Sequence, residues 1–176
     1  MSLGLFQEIA AGAAAESPLW ASVLRPEDER DAVPIFSMLV DDRRFALGVE
    51  TIYEGYLLHY GRPRLFAPPD DDVVLLLGDA LLAHGLVRIA DTGSVAAVAD
   101  LAALLSLCAQ GRADGRDGDG AAWAATSALL GRGGLDEARA TLRGDRDPAP
   151  LERLAREAAG DHVVDRALAA HVARLV

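Results

Sequence analysis

The fold of this protein is decided by residues 50–84, which read ETIYEGYLLHYGRPRLFAPPDDDVVLLLGDALLAH. Apolar residues recur at helical spacing on both sides of GRPRLFAPP, whose glycine and prolines interrupt a helix. We expect one helix over residues 45–60 and another over residues 73–90, with one of the aspartates at 70–72 capping the second. The stretch therefore predicts two successive helices joined by a loop.

Helical spacing continues outward on both sides of this stretch. Alanine and leucine dominate, and no strand-like alternation of useful length occurs. Pro18, Pro26 and Pro34 divide the first third of the chain into short helices. Glycine-rich residues 111–120 predict a flexible loop. The remaining helices are expected at residues 95–110, 121–131, 135–143, 151–159 and 161–175. The sequence therefore predicts a single all-α domain over residues 1–176.

Composition excludes several classes of protein. The formal net charge is −10 and all 17 basic residues are arginines, with no basic stripe for nucleic acid or an anionic membrane surface. No apolar run approaches the roughly 20 residues that span a bilayer, and the N-terminus lacks the basic segment of a signal peptide. The single cysteine, Cys108, excludes an internal disulfide. We therefore expect a cytoplasmic protein without a transmembrane segment.

The same stretch resembles the trans-polyprenyl diphosphate synthase family. That family carries D-D-x-x-D, then R-R-G-x-P-T-x-H, and then a helix that opens with G-D-x-L-L-A. We laid the sequence over these motifs without gaps. In motif order, the matching positions are Glu50, Thr51 and Glu54; His59, Tyr60, Gly61, Arg62, Pro63, Arg64 and Phe66; and Gly78, Asp79, Leu81, Leu82 and Ala83. The resemblance implies a helical bundle similar to the first half of the isoprenoid synthase fold, with its core at about residues 45–110 and a helical tail at 121–176.

Two glutamates fall on the metal-binding positions of that family. In prenyl synthases the aspartate motif holds Mg²⁺ ions that bridge to the substrate diphosphate. Glu50 and Glu54 lie one turn apart on a helix flank and can supply two of the oxygen ligands that Mg²⁺ prefers. Two other interpretations stay open for this pair, namely two solvated glutamates or a polar contact between subunits.

Two arginines and three further residues complete the predicted site. Arg62 and Arg64 could bind an isoprenoid diphosphate with their guanidinium groups, or they could hold their loop against nearby acids. The resemblance implies that the helix carrying Asp79 and Leu82 lines the isoprenoid pocket, with Gln110 one helix later. Asp79 must then be paired, hydrated or facing a cavity, because burying a lone charge is costly.

Most of the catalytic residues in the family's motifs are absent from this sequence. Thr51 replaces the middle acid of the first motif, no lysine is present, and residues 121–176 contain no second D-D-x-x-D. We therefore expect a protein that has lost catalysis and serves as an accessory subunit in polyprenyl diphosphate synthesis. Its partner would be a catalytic prenyl synthase subunit, or a second copy in a homodimer. The alternatives are a divergent Mg²⁺-dependent prenyltransferase and a helical protein that binds an isoprenoid or another lipid.

Overall fold

The computed structural model describes residues 2–175, and it describes side chains from residue 4 onward. The predicted all-α class is confirmed, because the described part of the chain is about 70% helical and contains no strand. Its helices are α1 (Ser2–Glu16), α2 (Pro18–Ser22), α3 (Ala46–Tyr60), α4 (Asp71–Ala90), α5 (Val95–Ala113), α6 (Asp119–Ala128), α7 (Asp136–Asp145), α8 (Ala149–Ala159) and α9 (Asp161–Val172).

The two helices predicted from the central stretch are present, and local side chains explain where they begin. Asp70 Oδ1 accepts a hydrogen bond of 2.9 Å from the backbone N–H of Val73, which makes it the predicted cap of α4. Ser94 Oγ caps α5 in the same way, at 3.2 Å from Ala97 N. The predicted loop at 111–120 is shorter, because α5 continues through Ala113 and α6 begins at Asp119.

The first third of the chain differs more from the prediction. One long helix, α1, precedes the first proline, and the acidic segment after Pro26 forms a single 3₁₀ turn, Glu27–Glu29. Residues 30–42, called the strap below, contain no helix. Ile35, Phe36 and Leu39 nevertheless bury their side chains in the core, so the strap is packed rather than loose.

Helix α3 lies at the centre of the molecule. Its residues from Gly48 to Leu58 are all buried. On one side Tyr53 and Tyr56 meet Trp123 of α6, with ring centroids 5.0 and 5.4 Å apart. Phe36 of the strap stacks on the same tryptophan at 5.3 Å. This aromatic cluster joins α3, α6 and the strap into one core.

On another side, α3 packs against α4 through glycines. A Cβ atom at Gly55 would lie 2.8 Å from the carbonyl oxygen of Gly78. A Cβ atom at Gly85 would lie 2.9 Å from the carbonyl oxygen of Gly48. We call these residues the glycine seam. Because the closest atoms include rigid backbone, the two helices can approach this closely only where no side chain intervenes. Gly78 and Gly85 thus let α4 pack closely against α3.

The glycine seam predicts that a single methyl group will destabilise the fold. We expect Gly55→Ala to lower the free energy of unfolding by about 1–3 kcal/mol, as overpacking of a filled core does. Gly144 in α7 provides the control, because nothing lies within 4 Å of its added Cβ. Gly144→Ala should be neutral or stabilise by up to about 1 kcal/mol. Urea denaturation of both variants measures this, and equal effects would contradict a close-packed seam.

Candidate functional site

Both predicted metal ligands and one of the two predicted diphosphate residues form a buried ion cluster. Glu50, Glu54 and Arg64 have exposed fractions of 0, 0 and 1%. Arg64 Nη1 lies 2.7 Å from Glu50 Oε2, and Arg64 Nε lies 2.9 Å from Glu54 Oε2. The guanidinium also sits over the rings of Phe6 and Tyr53, at 4.7 and 5.1 Å from their centroids. We call this group the Arg64 cluster.

Backbone N–H groups occupy the remaining carboxylate oxygens. Glu50 Oε1 accepts hydrogen bonds from Ile35 N at 2.9 Å and Ser37 N at 3.0 Å. Glu54 Oε1 accepts hydrogen bonds from Arg64 N at 2.7 Å and Leu65 N at 2.8 Å. Every carboxylate oxygen of the cluster therefore has at least one donor.

Arg64 is held in its charged form. Burial by itself would lower the pKa of Arg64, but the charges of Glu50 and Glu54 outweigh burial and hold that pKa above its ordinary value. A salt bridge this deeply buried is costly to form but strongly destabilising to break from one side. The Arg64 cluster therefore holds α3, the strap and residues 64–65 together.

This geometry corrects the predicted roles of the cluster residues. Mg²⁺ needs accessible carboxylate oxygens, whereas those of Glu50 and Glu54 are buried and already accept hydrogen bonds. The alternative of two solvated glutamates is wrong for the same reason. Arg64 faces these glutamates and has no surface for a diphosphate. Within residues 2–175, no group of three or more His, Cys, Asp or Glu side chains is arranged to hold a metal ion.

Arg62 has a different position from Arg64. It is exposed, and its guanidinium donates a hydrogen bond to the carbonyl oxygen of Ala173. It borders a surface groove of about 440 Å³ together with Arg25, Arg174 and the carboxylates of Glu29 and Asp31. Arg64 also borders this groove, although it is only 1% exposed. Binding of an anion by Arg62 stays a prediction.

The three residues assigned to a pocket wall do not share one pocket. The side chain of Asp79 is 76% exposed at the surface, and its Oδ1 lies 3.1 Å from Nε2 of His59. Leu82 is half-buried against the main core. Gln110 borders a cavity of about 20 Å³, which has room for roughly one water molecule.

A second polar network was missed by the sequence analysis. Tyr53 Oη lies 2.8 Å from His171 Nδ1, and His171 Nε2 lies 3.3 Å from Asp119 Oδ2. Tyr56 and Arg112 both donate hydrogen bonds to Asp119. His171 thus turns one ring nitrogen towards the Tyr53 hydroxyl and the other towards the Asp119 carboxylate. The network fastens α9 and α6 to α3.

The charges around Asp119 favour its ionised form. Burial by itself would raise the pKa of Asp119, but hydrogen bonds from His171, Tyr56 and Arg112 hold it below its ordinary value. Nothing in the sequence marks these partners, because Asp119 falls in the predicted loop and His171 lies far along the chain. Only the packed helices bring them together.

Comparison with protein-family models, curated proteins and solved structures finds no match to this chain. The all-α class thus stands on the structure alone, and the similarity to prenyl synthases stays a prediction based on residues 50–84.

The Arg64 cluster predicts a large loss of stability when its cation is removed. Arg64→Leu leaves two buried carboxylates without their partner, and we expect it to lower the free energy of unfolding by roughly 3–5 kcal/mol. Arg153, exposed on α8 beside Glu157, provides the matched control. Arg153→Leu should change the stability by less than about 0.5 kcal/mol. Chemical denaturation at pH 7 compares the two, and a small loss for Arg64→Leu would contradict the structural role.

The lowered pKa of Asp119 predicts a pH-dependent contribution to stability. A carboxylate with a depressed folded-state pKa stabilises the fold above its unfolded pKa of about 3.9, and the contribution is lost as the pH falls below that value. We expect Asp119→Asn to cost roughly 1.5–3 kcal/mol at pH 7, the range for a hydrogen bond to a charged group. Urea titrations should show the difference from wild type shrinking below about pH 4. The exposed neighbour Asp117, changed to Asn, should show no such trend.

Proposed function

We propose that this protein is a non-catalytic helical subunit that pairs with a catalytic polyprenyl diphosphate synthase chain through α4. The observation that carries the proposal is an apolar stripe on the outer side of α4. Leu76 and Val87 are each 58% exposed, and Ala80 and Ala83 lie between them on the same helix face. We call these four residues the α4 stripe.

The exposure of α4 is unusual for so apolar a helix. Its most apolar window has a mean hydropathy of 1.8, yet only 28% of that window is buried. By length and composition alone, α4 and α5 could each cross a membrane, a test that core helices of soluble proteins also pass. A large exposed apolar surface on a folded domain is typical of a binding surface, which supports the outer side of α4 as the place where a partner binds.

The pattern of the α4 stripe favours another helix as its occupant. Small residues at the centre, Ala80 and Ala83, permit close approach, while Leu76 and Val87 supply apolar contacts at the two ends. In an antiparallel pair of such helices, Leu76 would face the position equivalent to Val87. A partner that carries the equivalent helix would fit, and the catalytic chain of the resembled family is such a partner.

The residues that the resemblance assigns to the metal site and the pocket wall favour a subunit over a prenyltransferase. The carboxylates expected to bind Mg²⁺ are committed to Arg64 and to backbone N–H groups. The cavity beside Gln110, at about 20 Å³, is far below the roughly 300–1,000 Å³ of ordinary ligand pockets.

A prenyl-transfer assay tests the proposal. The purified chain is incubated with Mg²⁺, labelled isopentenyl diphosphate and farnesyl diphosphate, alone and with a catalytic synthase subunit from the same organism. We expect no elongation by the chain alone and a changed rate or product length in the mixture. Elongation by the chain alone, abolished by Glu50→Gln with Glu54→Gln, would make it an enzyme and overturn the proposal.

Pairing is measured separately by size-exclusion chromatography with light scattering. Val87→Asp places an unpaired charge in the α4 stripe and should weaken the complex at least about tenfold. Val172→Asp is the matched control, because Val172 is 69% exposed on α9. A dimer of this chain that excludes the catalytic subunit would replace the accessory role by self-association. Binding to liposomes in place of either protein would assign the stripe to lipid and overturn the proposal.

A further inference from the structure

A groove of about 650 Å³ lies between α1, the strap and α9. Its apolar walls are half-buried side chains from each of these segments, namely Leu5, Met38, Val40 and Val163. The volume lies within the roughly 300–1,000 Å³ typical of small-molecule sites. None of its lining residues belongs to α4, so the groove is separate from the α4 stripe.

Cationic side chains border these apolar walls. Arg43 and Arg166 both line the groove, against a single carboxylate, that of Glu8. Arg166 Nη2 lies 3.0 Å from the sulfur of Met38, which is a weak acceptor. Among the described residues, Arg166 forms no ion pair, and the adjacent Asp165 pairs with Arg156 at 2.7 Å.

The groove wall is fixed from beneath by the Arg64 cluster. Glu50 accepts hydrogen bonds from the backbone N–H groups of Ile35 and Ser37, and Ser37 itself lines the groove. Met38 and Val40 follow directly in the strap. The strap therefore presents a preformed wall, which reduces the ordering that a ligand would otherwise impose.

From this combination we propose that the groove binds a single-chain amphipathic anion, with its hydrocarbon chain against Leu5, Met38 and Val163 and its carboxylate or phosphate head at Arg166. The apolar walls recognise the chain. The guanidinium of Arg166, whose hydrogen bond to the Met38 sulfur is weak, recognises the head because it can form bidentate hydrogen bonds to either oxyanion. This inference does not rest on pairing through α4.

The experiment follows 11-(dansylamino)undecanoate by its fluorescence on the full chain, below its micelle concentration. We expect saturable binding that dodecanoate and dodecyl phosphate displace. Dodecanol, which lacks the charge, should displace the probe at least about tenfold less well, the factor that corresponds to a lost hydrogen bond to a charged group. Inorganic phosphate, which lacks the chain, should not displace it.

Two variants locate the site. Arg166→Gln should weaken binding of the anionic probe about tenfold while leaving that of dodecanol unchanged, and Val163→Phe should weaken binding of both by filling the groove. Arg153→Gln is the matched control, because Arg153 is exposed on α8, and this variant should bind as wild type. Thermal unfolding of each variant verifies that the fold persists. Absence of saturable binding, equal displacement by dodecanol, or indifference to both groove variants would overturn the proposal.

Discussion

One buried guanidinium determines how the N-terminal half of this protein is arranged. Arg64 bridges Glu50 and Glu54 of α3, and those carboxylates bind the backbone of the strap and of residues 64–65. Neither segment has helical hydrogen bonds of its own at these positions, so their buried N–H groups require acceptors from elsewhere. The glutamates supply them, and Arg64 compensates their charge. The non-helical part of the core therefore depends on this cluster.

The identity of the cation matters as much as its charge. Arg64 uses Nε for Glu54, Nη1 for Glu50 and for the carbonyl oxygen of Val33, and its planar face for two aromatic rings. A lysine has one compact ammonium group and cannot contact both glutamates, the carbonyl oxygen and two ring faces in this geometry. At this position the structure requires arginine, the residue type of all 17 basic residues in the chain.

Local signals in the sequence predicted the helices well. Apolar spacing and caps such as Asp70 placed α3, α4 and α5 to within a few residues, because these signals act within one turn of helix. The conformation of the strap could not be predicted, because the side chain that accepts hydrogen bonds from its backbone N–H groups lies on α3. Tertiary contacts therefore set this conformation. The spacing of Glu50 and Glu54 correctly implied a shared helix face. It could not distinguish a metal ion from Arg64 as the group that this face meets.

The glycine seam connects the core to the exposed side of α4. Gly78 and Gly85 bring the backbone of α4 against α3, so part of the buried side of this helix carries no side chain. Large apolar residues such as Leu76 and Val87 are left on the opposite side, in solvent. Their exposure is therefore a consequence of the way α4 docks, not of loose packing, and rotating the helix to bury them would drive side chains into the backbone of α3. The way this helix is fixed therefore leaves its apolar side open to contacts from outside the chain.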